Sequence, residues 1–156
     1  MKNKKIIKKL GGIFFVMTVF FLVEFFLVSD PENLIPENIK YVEIAGENIK
    51  VDLALTPDEQ AKGLSGRGEL KEQEGMLFVF EKPAKHVFWM KDMNFPIDII
   101  WLNENREIVY IKTDARPELF PETYAPNENA KYVLEVVSGF SDKNNLKVGD
   151  QVQFTY

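Results

Sequence analysis

The chain has 156 residues, a formal net charge of −5 and no cysteine. One domain is the expectation at this length, and disulfide scaffolds, thiolate-bound metals and thiol nucleophiles are excluded. A single histidine, His86, also removes multi-histidine metal centres.

Residues 1–29 differ in character from the rest of the chain. Lys2, Lys4, Lys5, Lys8 and Lys9 precede Leu10–Val28, a stretch of 19 residues broken only by Gly11, Gly12, Thr18 and Glu24. As a helix rising about 1.5 Å per residue it would span about 28 Å, the thickness of bilayer hydrocarbon. The pattern predicts one transmembrane helix, with the membrane as partner through residues 10–28. The lysines hold its N-terminus in the cytoplasm, and Asp30, Glu32 and Glu37 emerge outside. Glu24, one turn from the outer end, reaches the headgroups. The alternative is a cleaved signal peptide and a secreted domain. No A-x-A-like site is present after the apolar stretch, and Leu27 fills the −3 position of the nearest candidate, after Ser29. Lipoprotein processing would need a cysteine.

The five lysines and Glu24 set aside, the remainder holds 14 basic against 23 acidic residues, a net of −9. So acidic a domain is unsuited to nucleic acid, whose phosphates need the opposite field, and is repelled by anionic membrane surfaces. Residues 30–40, with Pro31 and Pro36 among acids and asparagines, read as a tether to an extracytoplasmic domain at 41–156.

Tyr41–Ile44 and Ile49–Leu53 alternate apolar with polar residues across Ala45-Gly-Glu-Asn48, which predicts a hairpin. Thr56 as N-cap, Pro57 in the first turn and Glu59 in the capping-box position open a short helix that ends near Gly63 or Gly66. Met76–Phe80 is a compact apolar run between Gly75 and Pro83, a buried strand. His86–Met90 and Ile97–Leu102 are strands around a Pro96 turn, and Asn103-Glu-Asn105 leads to a partner strand, Glu107–Thr113. Asp114–Asn129, rich in Pro, Glu and Asn, is an ordered excursion or a lid. Tyr132–Val137 is a strand, Ser138–Asn145 closes as one helical turn, and Gln151–Tyr156 ends the fold. The expectation is a β-rich α+β domain: seven or eight short, mostly antiparallel strands in a barrel-like or rolled sheet, with two short helices.

Familiar catalytic motifs fail on inspection. Gly63-Leu-Ser65-Gly-Arg67 has Arg where a nucleophile elbow needs its last Gly, and it follows a helix rather than a strand. Asp142-Lys-Asn144-Asn-Leu146 places Leu146 where a calcium loop needs an oxygen ligand. A lone His86 is more often a packing residue than a functional one.

Two carboxylates stand in apolar strands. Asp98 lies between Ile97 and Ile99, and Glu135 lies within Tyr132-Val-Leu-Glu-Val-Val137. Either could simply face solvent, but both faces around Asp98 are apolar. Burial would demand a partner, with Lys91 and Arg67 the nearest cations in sequence. Trp89, with Phe88, Met90 and Met93, is either core or the wall of a concave site offering a flat face to a sugar ring or apolar group. Arg67, between Gly66 and Gly68, either clamps an anion or anchors its loop.

The motifs Gly63-Leu64 with Arg67, Gly75-Met-Leu-Phe78 with Phe80, Phe88-Trp-Met-Lys91, Pro96-Ile-Asp98, Tyr132-Val-Leu-Glu135, Gly139 and Val148-Gly-Asp150 occur in one order across Ile44–Phe154. In this the chain resembles the domain-of-unknown-function family 192. Asp92-Met93 and Asn103-Glu-Asn105 depart from the family's usual Asn-Thr and Asp-Gly. The resemblance implies a single compact β-rich domain, commonly exported or membrane-tethered, and supplies no catalytic residues. The expected function is binding of a small ligand or an envelope partner without catalysis and without a cofactor or metal. Its expected site is Arg67, Trp89, Lys91, Asp98 and Glu135. A cell-envelope hydrolase with Asp98 and Glu135 as acid and base, and a structural envelope protein, are the alternatives.

Overall fold

Two residues of positive φ, Ala45 (52°) and Gly46 (80°), close the first hairpin. Paired left-handed residues match the right-handed twist of the flanking strands. The loop is thus two residues rather than four, and β1 (Tyr41–Ile44) pairs with β2 (Glu47–Ala54) in the register Ile44 to Glu47. The computed structural model describes residues 36–156, which form one compact unit. The expected transmembrane helix and most of the tether lie outside the described residues.

Helix α1 (Pro57–Lys62) carries the expected capping box. Glu59 N–H donates to Thr56 Oγ1, the Glu59 carboxylate accepts from Thr56 N–H, and Gly63 terminates the helix at φ 49°. The chain then crosses to β3 (Glu74–Ala84), which lies parallel to β2, the one parallel pair of the main sheet. After β4 (Phe88–Trp89) come β5 (Ile97–Leu102), β6 (Ile108–Ala115), β7 (Thr123–Tyr124), β8 (Ala130–Val137), α2 (Phe140–Lys143) and β9 (Gln153–Thr155). The seven-stranded order is β6-β5-β8-β3-β2-β1-β9, and β4 and β7 form a separate ribbon.

Several expectations change. His86–Met90 is strand only at Phe88–Trp89, because Met90 already begins a turn that Asp92 completes at φ 55°. The 114–129 excursion is held by β7, which pairs with β4 and buries Tyr124. The sheet does not close into a barrel. The segments that lead into its edge strands, β6 and β9, meet at one corner, through the Glu107–Gln151 bridge and hydrogen bonds such as Val152 N–H to the Arg106 carbonyl. With three residues, β9 is too short to build a continuous ladder to β6.

Both faces of the sheet are covered, so all six residues of β5 are buried. One face packs Ile44, Ile49, Leu77, Ile100, Leu134 and Phe154. The other packs Met76, Phe78, Met90, Ile99, Trp101 and Val133 beneath α1 and the β4–β7 ribbon. Gly75 is where β3 comes close to β8: a Cβ there would lie 2.8 Å from the Glu135 carbonyl oxygen.

Candidate functional site: an aromatic cleft over a buried carboxyl

The register separates the two carboxylates. Asp98 stands opposite Val136, and Glu135 stands opposite Ile99. Directly opposed residues share a face and successive ones alternate, so Asp98 and Glu135 point to opposite faces of the sheet. The expected acid and base pairing across one cleft is therefore not formed.

Asp98 is completely buried. Its Oδ1 accepts from the N–H groups of Asp114 (2.9 Å) and Gly139 (3.2 Å), and its Oδ2 accepts from Ser141 N–H (2.8 Å). Backbone amides, rather than the expected Lys91 or Arg67, supply its partners, because the turn into α2 lies over the end of β5. Asp98 is a clasp between β5, β6 and α2. Arg67 instead pairs with Asp52 (Nη2 to Oδ2, 2.7 Å). Lys91 is exposed, and its carbonyl accepts from Ser65 Oγ at 2.9 Å. With the Gly66 N–H to Asp92 carbonyl bond and the Asn94 side chain on the Arg67 carbonyl, this staples the loop after α1 to the loop after β4.

Those two stapled loops frame a cleft of about 240 Å³ lined by residues 60–65, Phe78, Phe80, 86–89, Met93 and Glu135. Of the expected site residues, Trp89 and Glu135 line it; Arg67, Lys91 and Asp98 do not. Trp89 is 53% exposed, and Glu135 is 5% exposed. The aromatic wall is layered. Phe78 meets Phe88 edge to face at 4.8 Å, Phe88 meets Trp101 the same way at 5.6 Å, and Phe80 stacks on His86 at 3.4 Å.

Glu135 Oε2 is buried and has no hydrogen-bond partner within the protein. Its cross-strand neighbours, Ile99 and Met76, are apolar. Burial pushes its pKa up to about 8, opposed only in part by the charge of Arg67. At neutral pH the carboxyl therefore carries a proton and can donate one hydrogen bond. Glycine at position 63 keeps that oxygen approachable, since a Cβ would sit 3.9 Å from Oε2 and 3.3 Å from Phe78 Cζ.

His86 is a cleft residue that sequence reasoning set aside. Its Nε2 lies 3.1 Å from the Lys82 carbonyl, and burial lowers its pKa, so it is uncharged at neutral pH. Its chain spacing from Phe80 carried no signal, because the stacking of its ring on that phenyl face depends on how the chain leaves the end of β3. No residues within the cleft have the donor set of a metal site, and no group of three or more candidate metal ligands occurs among the described residues.

The fold and the site thus define a mixed-sheet domain with one aromatic cleft over a protonated acid. The profile of family DUF192, described as an uncharacterized ACR, matches residues 40–154, and the chain belongs to this family. It is similar to UPF0127 protein PF1050 of Pyrococcus furiosus, 27% identical over 114 residues that span 70% of this chain and 91% of that protein. Among solved structures, a protein of unknown function from Novosphingobium aromaticivorans is 33% identical, with a TM-score of 0.69 over 74% of this chain and 84% of its own. A candidate transcription regulator from Sinorhizobium meliloti is 26% identical, with a TM-score of 0.68 over 73% and 90%.

Proposed function

We propose that this is a small-ligand-binding domain, held outside the cytoplasmic membrane by residues 10–28, that uses the Glu135 cleft without catalysing a reaction on its ligand. The observation that carries this reading is the lone carboxyl of Glu135. A buried polar group without a partner is expensive, roughly 1–3 kcal/mol for a neutral one, and a ligand that reached it would recover that cost. The cleft volume of about 240 Å³ is below the roughly 300–1,000 Å³ of drug-sized sites, so the ligand is small. Trp89 at the mouth supplies a flat face and Glu135 the single directional contact. Catalysis by paired carboxylates is disfavoured because Asp98 is spent on three backbone amides on the other face. Nucleic acid is disfavoured as a ligand, because the chain after residue 29 carries a net charge of −9.

Saturation-transfer NMR of the full-length chain in non-ionic detergent, against a library of sugars, amines and small aromatics, tests this. Ligands should appear for the wild type and weaken at least tenfold in both Trp89→Ala and Glu135→Gln. Hits indifferent to both substitutions, or none at all, would overturn the assignment. Turnover of a hit that is lost in Glu135→Gln would replace binding by catalysis.

A further inference from the structure

We propose that the ligand of the Glu135 cleft is a small free organic cation of the alkylammonium class; this rests on the cleft being a ligand site. The cleft lined by Phe78, Phe80, Phe88 and Trp89 holds one buried acid and gives its carboxyl no ion-pair partner. Around Glu135, β5 presents Ile99, β3 presents Met76 and Phe78, and the segment after α1 presents Gly63. The charged or titratable groups near it are Arg67, whose field reaches it, and the cleft-lining Lys62 and His86. Arg67 is committed to Asp52 at 2.7 Å, Lys62 is exposed, and His86 is held neutral by burial. None neutralises the carboxylate.

An ammonium centre would. It gains the carboxylate's attraction in a poorly solvated site and an aromatic lining in which Trp89 is exposed, since cations within about 6 Å of an aromatic centroid are attracted by the ring quadrupole. Its field would return Glu135 to the ionised form, so binding releases the carboxyl proton to solvent while the cation takes its place. The acidic surface of the domain draws cations toward the cleft in addition.

The test is calorimetric titration of the full-length chain with choline and with its neutral carbon isostere, 3,3-dimethyl-1-butanol. With a carboxyl that ionises at about 8, choline affinity should rise about thirty-fold between pH 6.5 and pH 9. At pH 6.5, titrations in buffers of different ionisation enthalpy should show release of close to one proton. Glu135→Gln should abolish both effects, and choline should exceed the isostere at least tenfold at pH 9. Binding of the isostere as tightly as choline at pH 9 would overturn the cationic class and leave the cleft as a site for neutral ligands. Failure of both probes, with library hits of other chemistry still sensitive to Glu135→Gln, would also overturn the cationic class alone. Failure of both probes and an empty library would remove the ligand site itself.

Discussion

Glu135 ionises near 4.5 in an unfolded chain and near 8 in the folded one, because burial penalises its charged form. The folded state therefore binds that proton more tightly. Its contribution to stability is fully present below pH 4.5 and is lost as pH rises toward 8. Urea unfolding of wild type and Glu135→Gln should show their stability difference swinging by a few kcal/mol in favour of the variant between pH 5 and pH 8. His86, whose burial lowers its pKa, contributes equally to both proteins and cancels in the difference. Parallel profiles would mean that water reaches the carboxyl. Asp98 has a structural role instead. Asp98→Ala removes the acceptor of three backbone N–H groups, that of Ser141 buried and those of Asp114 and Gly139 part-buried, at roughly 1–3 kcal/mol for a buried one, so unfolding should come about 3 kcal/mol earlier while ligand hits in the cleft persist. In sequence these two acids look alike, each a lone carboxylate among aliphatics. Their difference is invisible there because it depends on which backbone amides and which rings lie above each face.

At the scale of elements, local chemistry was legible where it acts within a few residues. Thr56, Pro57 and Glu59 announce α1 because the capping box closes over three residues. Ile97–Leu102 announces β5 because a strand buried on both faces is apolar at nearly every position, with Asp98 the exception here. The parallel pairing of β2 with β3 was not legible, since it rests on partners such as Asp52 and Met76 whose alignment the crossover through α1 determines. Gly75 belongs to this scale. Its missing Cβ lets β3 approach β8, and Gly75→Ala would set a methyl 2.8 Å from a carbonyl oxygen and 3.0 Å from Ile49 Cγ2. A backbone oxygen cannot swing aside as a side chain does. The substitution should therefore cost about 3 kcal/mol, the upper end of overpacking, in a denaturant titration. A near-neutral result would mean that the two strands part without loss.

For the whole molecule, the acidic domain and the basic, apolar start of the chain pull toward different environments. Full-length protein should sediment with membranes and resist carbonate extraction, whereas the same chain lacking residues 1–29 should remain in the supernatant, as immunoblotting of fractions would show. Recovery of the full-length chain free and shortened would instead indicate cleavage and secretion. What the sequence determined by itself was the class of element, the acidic balance and the shortlist containing Trp89 and Glu135, because composition, periodicity and capping act over a few residues. It also pointed to the family through motifs ordered along the chain. The tertiary structure alone decided that the sheet stays open, that Asp98 is a clasp, that Arg67 serves Asp52, and that His86 joins the cleft. Those outcomes depend on register and crossover, which bring residues many positions apart to one face or divide neighbours between two. A shift of one residue between β5 and β8 would have put both carboxylates on the same side.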